Sequence, residues 1–327
     1  MHIYRGFATG LEILNQSILS DRMIRTPVGR GYRIDDQVYA DEVHIRCLGE
    51  ENEHHTALFK KFHRQAAQRQ DHVYVGAAGF LNLSYIAVTK PSAAILFDIN
   101  ILQTLFWRDV IKALAENRDP KGFRNFMAHN QREMPQRVKK IFNEMSYADS
   151  FTDVCDRNSI YRAFWKEPVG PWLDAAFEPV NMKLGEHFRM VDRLWMARGY
   201  GHLHTLAKND AIGALTLDVC DRAACNQLKD FLDHVTYRRV PADVADDPDN
   251  KSGRMGRRAR IKTLYISNIF RFLGKTRDWT GRYTDSMTPE RARENLSQLL
   301  VSRRPQIIHE RCGRGLTWPQ QVVPNHP

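Results

Sequence analysis

Residues 73–103 read VYVGAAGFLNLSYIAVTKPSAAILFDINILQ. In order, the run holds a short strand, a tight glycine turn, an apolar helix, a second strand and a terminal acid. Val73-Tyr74-Val75 is β-branched and aromatic, and Gly76 and Gly79 bracket two alanines. Phe80 to Val88 is apolar enough for a buried helix, which Lys90-Pro91-Ser92 stops. Ala93 to Phe97 is a continuous apolar run, as a parallel strand buried on both faces requires, and it ends on Asp98.

The small residues at 76–79 let the backbone turn sharply and let a ligand come into van der Waals contact, with a helix N-terminus behind it. Asp98 follows Gly79 by 19 residues, near the ~20-residue spacing at which an acid on the second strand reaches ribose hydroxyls. The glycines do not complete the G-x-G-x-x-G fingerprint, so a plain turn or a helix cap explains them equally well. The acid at that distance is what favours an adenosine site.

Downstream, Asn100 to about Ala115 reads as a helix with Leu102, Leu105, Phe106, Ile111 and Leu114 as core positions, and Asn117 to Gly122 breaks it. Residues 118–181 form a helical insertion rich in Arg, Phe and Trp, including Phe164-Trp165 and Pro171-Trp172, whose aromatics either stack bases or pack the insertion onto the sheet. Met182 to Gly199 has helical spacing, and Gly199 and Gly201 end it. Ala214 to Leu217 is a third strand closing on Asp218-Val219-Cys220-Asp221, followed by a helix over Arg222–His234. Asp218 faces the crevice or stays structural, and Asp221 faces it or serves only as the N-cap of that helix. Thr263 to Ile266 is a fourth strand ending at Ser267-Asn268, Pro289 opens a helix behind Thr288, and Pro305 to His309 is a fifth strand.

Upstream, Leu11, Leu14, Ile18 and Leu19 mark a helix, and residues 26–31 an exposed loop whose Arg30, with the nearby Arg33, reads as solvated rather than as a phosphate contact. A second helix carries Leu58, Phe59, Phe62 and Ala66 on one face. His54, His55 and His63 read as part of its solvated side rather than as a metal site.

The 327 residues are 43% hydrophobic, enough to bury a substantial core. Lys and Arg number 48 against 38 Asp and Glu, a formal charge of +10, which favours acidic partners. Residues 251–262, with Lys251, Arg254, Arg257, Arg258, Arg260 and Lys262, are the candidate contact for nucleic acid. No window reaches the ~18 apolar residues of a membrane span, and Met1 to Arg5 opens no signal peptide. Cys47, Cys155, Cys220, Cys225 and Cys312 are scattered without C-x-x-C spacing and read as reduced thiols. A cytoplasmic protein is the expectation.

The order glycine turn, Asp98, Asp218, Tyr265-Ile266-Ser267-Asn268 resembles the class I S-adenosylmethionine-dependent methyltransferase-like family. Asp98-Ile99-Asn100-x-x-Gln103 and Tyr265-Ile266-Ser267-Asn268 are also similar to strings in 3-amino-3-carboxypropyl transferases, which use the same cofactor. Gly185-Glu186-x-Phe188 and the long insertion resemble an uncharacterised bacterial branch of methyltransferase-like proteins. The resemblance implies an α/β chain with a Rossmann-like, mostly parallel sheet flanked by helices. Residues 1–69 would be an N-terminal helical extension, 70–318 the Rossmann domain with its helical insertion, and 319–327 a tail.

It further implies S-adenosylmethionine as cofactor. Gly76, Ala78 and Gly79 would lie at its methionine portion, Asp98 with Ile99 at the ribose, and Asp218 with Val219 at the adenine. Ser267 and Asn268 would border the reacting centre. Gly76 to Gly79 lacks the central glycine of the family's usual loop. A catalytically silent binding or interaction protein, with or without nucleic acid as partner, is the alternative. A nicotinamide-dependent oxidoreductase is disfavoured by the incomplete fingerprint and the lack of a Tyr-x-x-x-Lys pair. The acceptor and the oligomeric state are not legible in the chain.

Overall fold

The computed structural model describes residues 2–4, 6–25, 33–34, 37–38, 53–65, 72–77, 79–98, 101–129, 133, 136–137, 140–141, 144, 188–189, 191–234, 239–241, 260–267, 289–300 and 306–309. The strands are β1 (His2–Tyr4), β2 (Arg33–Ile34), β3 (Gln37–Val38), β4 (Val73–Ala77), β5 (Ala93–Asp98), β6 (Ile212–Thr216), β7 (Arg239–Pro241), β8 (Ile261–Ser267) and β9 (Gln306–His309). The helices are α1 (Phe7–Arg25), α2 (Glu53–Gln65), α3 (Leu81–Thr89), α4 (Ile101–Glu116) and α5 (Pro120–His129). After the insertion come α6 (Trp195–Arg198), α7 (Tyr200–Lys208), α8 (Arg222–His234) and α9 (Pro289–Leu299).

Five strands form one sheet in the order β6-β5-β4-β8-β9, every neighbouring pair parallel. The chain starts in the middle at β4, builds outward through β5 to β6, then returns to the other side of β4 with β8 and β9. This is an α/β Rossmann-like fold, and its strand order reverses direction between β4 and β8. The small pairs β1 with β7 and β2 with β3 are antiparallel.

Alternate residues of each central strand enter opposite cores, which is why the strands read as unbroken apolar runs. Tyr74, Ala94, Leu96, Ile212, Ala214 and Tyr265 pack on one face, against α2, α3, α4, α5 and α7. Val73, Val75, Ile95, Phe97, Leu215 and Leu264 pack on the other, against α1, α8 and α9. Each fully buried large apolar side chain contributes about 1.5–3 kcal/mol. Trp107 and Phe106 are examples at full burial on the first face.

The helix stop after Thr89 works as its residues suggest. Lys90 adopts the left-handed conformation at φ 48° and returns its N–H to Ile86 O, with Pro91 next in line. The boundary at residue 69 is not a packing boundary. Leu11, Leu14 and Ile18 of α1 are buried in the second core. Asp210, in the turn before β6, accepts the Thr9 N–H at 3.0 Å and the Thr9 hydroxyl at 2.6 Å, and its carbonyl takes the Ala8 N–H at 2.9 Å. A carboxylate held at a helix N-terminus by a distant turn satisfies amides that have no partner inside the helix.

Two expectations are corrected. The helix read over Met182–Gly199 is interrupted: Val191–Arg193 is a 3-10 turn, Leu194 is extended at φ −81°, ψ 157°, and the chain restarts as α6. Gly199 ends α6 as its C-cap, as expected, but Gly201 ends nothing, because α7 runs from Tyr200 to Lys208. Gly199 is needed for contact as well. A Cβ there would lie 2.5 Å from the carbonyl oxygen of Ala87, so this glycine lets α6 and α7 meet α3. Of the insertion, α5 and a few residues up to 144 are described, and residues 145–187 lie outside the described part. Among the described residues, no helix is long and apolar enough to cross a membrane.

Candidate functional site

The carboxyl edge of the sheet brings the chemistry-bearing residues onto neighbouring strands. Gly76 of β4 is level with Leu96 on one side and Tyr265 on the other, and Leu96 is level with Ala214. Two or three residues beyond that line, β4 turns at Gly79, β5 ends on Asp98 opposite Thr216, and β8 ends on Ser267 opposite His309. Gly79 has φ 77°, a backbone conformation that glycine adopts without steric cost.

The interior of the glycine turn is filled by the chain itself. The Asn82 side chain donates from Nδ2 to Gly79 O at 2.8 Å and to Ala77 O at 3.2 Å, while its Oδ1 accepts the Tyr74 hydroxyl at 2.7 Å. A Cβ at Gly76 would fall 1.8 Å from that Oδ1. The close approach that Gly76 permits is therefore that of Asn82, and Asn82 fixes the curvature of the turn. Burial, helped by Tyr265 and Tyr85, pushes the Tyr74 hydroxyl well above its ordinary range, so it stays a neutral donor.

Asp98 is half-buried. Its carbonyl accepts the Leu217 N–H at 2.8 Å, which ties the end of β5 to the turn after β6. Asp218 is buried at 6% exposure, and its Oδ1 accepts the Cys220 N–H at 2.9 Å. Part of its capacity thus holds its own turn. The expected strand end at Leu217 falls at Thr216. Asp221 caps α8, with Oδ1 accepting the N–H groups of Ala223 and Ala224 at 2.9 and 3.2 Å. Val219 is buried, and its carbonyl accepts Asn295 Nδ2 of α9 at 3.0 Å. The Cys225 thiol, also against that carbonyl, is pushed up by burial and by the carboxylates of Asp218 and Asp221, so it is no nucleophile.

Ala78, Ile99 and Asn268 lie outside the described residues, as do residues 251–259 of the basic segment, the loop with Arg30 and the tail. Ser267 is described by its backbone, at the last rung of β8.

Other polar groups lie beside this edge whose burial the sequence did not announce. His55, read as solvated, is buried, with Nδ1 at 2.5 Å from the Tyr85 hydroxyl. Its fellow His63 is exposed, beside Trp195. Gln103, in the first turn of α4, is 1% exposed, and neither atom of its amide has a hydrogen-bond partner among the described residues. One turn on, Trp107 is fully buried with Nε1 equally unmatched, and its ring stacks on Phe80 with centroids 5.8 Å apart. The signal for Asn82 was a lone amide in an apolar helix. For Gln103 it was the spacing of five residues from Asp98. Among the described residues no three His, Cys, Asp or Glu side chains gather as a metal site.

Compared with known proteins, residues 50–238, more than half of the chain, match the family described as a domain of unknown function, DUF7790. The matched span holds the glycine turn, Asp98, Gln103 and Asp218 and stops before β8. No curated protein gives a match.

Proposed function

This chain belongs to the DUF7790 family, and we propose that it is an S-adenosylmethionine-dependent transferase, a methyltransferase of unassigned acceptor. The observation that carries the reading is the sheet order. It sets the glycine turn of β4 between the strand ending on Asp98 and the strand ending on Ser267, at the place where open α/β sheets bind ligands. A half-buried acid at the end of β5 and a buried one after β6 supply the two polar anchors a nucleoside needs. The unmatched amide of Gln103 beside them fits a ligand rather than a sealed core.

In this reading Asp98 accepts from ribose hydroxyls, with Ile99 beside it. Gly76, Ala78 and Gly79 shape the backbone along the methionine portion, and Asp218 with Val219 borders the adenine. Ser267 and Asn268 align the acceptor by hydrogen bonds. The bound sulfonium would supply an already activated methyl group, so the chain's own work is to align donor and acceptor. Such proximity contributes about 7–11 kcal/mol in well-oriented cases. No Ser-His-Asp or paired-carboxylate arrangement is required. Cys220 and Cys225 are buried and form no disulfide, which supports a cytoplasmic setting.

One observation favours a second reading, a binding protein without catalysis. Asn82 takes up the room that Gly76 leaves, which narrows the cradle. Nucleic acid as acceptor or partner rests on the basic run 251–262 and the charge of +10.

The test is thermal unfolding with S-adenosylmethionine, S-adenosylhomocysteine and NAD in parallel. A ligand at about 100 times its dissociation constant adds ~2.7 kcal/mol to stability. Stabilisation by the adenosyl ligands alone, lost in Asp98→Ala with its fold intact, is the expected result. Stabilisation by NAD alone, or by none of the three, overturns the transferase reading.

A further inference from the structure

We infer that the amide of Gln103, with the indole N–H of Trp107, recognises the α-amino carboxylate portion of the ligand. The inference rests on the adenosyl reading above and names the residues that would give the site its amino-acid selectivity. The starting point is a cost. A buried amide without hydrogen bonds loses its hydration and gains nothing in return, so native chains rarely keep one. Gln103 is 1% exposed with both Oε1 and Nε2 unmatched among the described residues, and Trp107, fully buried, leaves Nε1 unmatched.

The two residues are four apart on α4, so their side chains share one face of the helix. That face is turned to the glycine turn, because the Trp107 ring stacks on Phe80, the residue after Gly79. α4 starts at the carboxyl edge and runs away from it. Gln103 is therefore one turn nearer that edge than the Trp107–Phe80 contact, in the seam between the glycine turn and the end of β5. A ligand anchored by its ribose on Asp98 and reaching toward the glycine turn has to cross this seam.

The chemistry of the unmatched atoms narrows what crosses it. They offer one acceptor oxygen, Gln103 Oε1, and two donor nitrogens, Gln103 Nε2 and Trp107 Nε1. An ammonium donates to the first, and the two oxygens of a carboxylate accept from the others. A purine edge would use one donor and one acceptor and leave the indole N–H unmatched. An α-amino carboxylate matches all three.

The experiment is isothermal titration of the full chain with S-adenosylhomocysteine and with 5′-methylthioadenosine, which keeps the nucleoside and thioether but lacks the amino-acid end. The unmodified chain is expected to favour S-adenosylhomocysteine by at least roughly tenfold, as hydrogen bonds to charged groups allow. Gln103→Leu should bind 5′-methylthioadenosine as before and lose most of that preference. Trp107→Phe, which keeps the ring, should lose a smaller part. Gln103→Leu should also melt no lower than the unmodified chain, since an unmatched amide has been replaced by an apolar group. A Gln103→Leu variant that retains the preference overturns the inference. So does one that melts lower with both ligands weakened equally, which would make Gln103 a water-bridged structural amide. Failure of the unmodified chain to bind either compound would instead remove the transferase reading itself.

Discussion

The two faces of the sheet are built from the same kinds of apolar side chain, yet they hide different things. On the face under α1, α8 and α9, the helices bury two amides, Asn15 and Asn295, and both serve the backbone at the carboxyl edge: Asn15 accepts the Thr216 N–H and Asn295 donates to Val219 O. The opposite face buries His55, Asn82, Ser84, Gln103, Thr104, Asp109 and His202 among its helices. Asp109 is held there by Arg137, whose Nε and Nη2 each donate to one carboxylate oxygen at 2.8 Å, and His202 by the carbonyl of Pro91 at 2.9 Å. Buried polar groups raise the cost of any wrong arrangement, since each must find its partner or be left without water. One face is therefore a fastening layer, and the other is a layer whose shape is specified group by group beneath the candidate site.

That contrast can be broken most severely at Asp109. Its carboxylate is 3% exposed, so Arg137→Met should leave it buried and unpaired at a cost of about 3–5 kcal/mol. Urea unfolding reads the loss, and adding Asp109→Leu should restore most of it if the pair is the cause. On the fastening face, Leu228→Ala is expected to cost about 2–5 kcal/mol through its cavity, with no change in pH dependence. A pH effect there would erase the distinction between the faces.

His202 gives the next effect. Burial, the largest cause, lowers its pKa from 6.5 to about 4, against the opposing pull of the Pro91 carbonyl. Between those values the unfolded chain takes up a proton that the folded chain refuses. Stability is thus complete above the window and falls as pH drops through it, by about 3 kcal/mol in all. His202→Gln should flatten that part of the unfolding profile. The smallest change is expected from Asp210→Ala, which removes the cap on α1 and should cost about 1 kcal/mol.

What was legible in the sequence follows from what each residue needs nearby. β4, β5 and β8 are buried on both faces, so their apolar runs announce them whatever packs on either side. The place of Asp98 at the end of β5 was legible because the apolar run before it stops there. The role of Gly76 was hidden, because it depends on a side chain six residues later folding back over the turn. His55 sits on a strongly polar helix, and the group that buries it, Tyr85, is 30 residues away. The restart of α7 was masked by Gly201, which is exposed with open space around it and breaks nothing.

The docking of α1 also has a consequence in time. Thr9 and the carboxylate that caps it are 201 residues apart. At ~5–20 residues per second of synthesis, α1 waits roughly 10–40 s for its partner to be made. Over that interval the face carrying Phe7, Leu11, Leu14 and Ile18 lacks β6 and α8, which complete its cover. Made before the sheet it packs on, α1 is thus among the last of the described elements to settle, and a chaperone at the ribosome would usefully hold it.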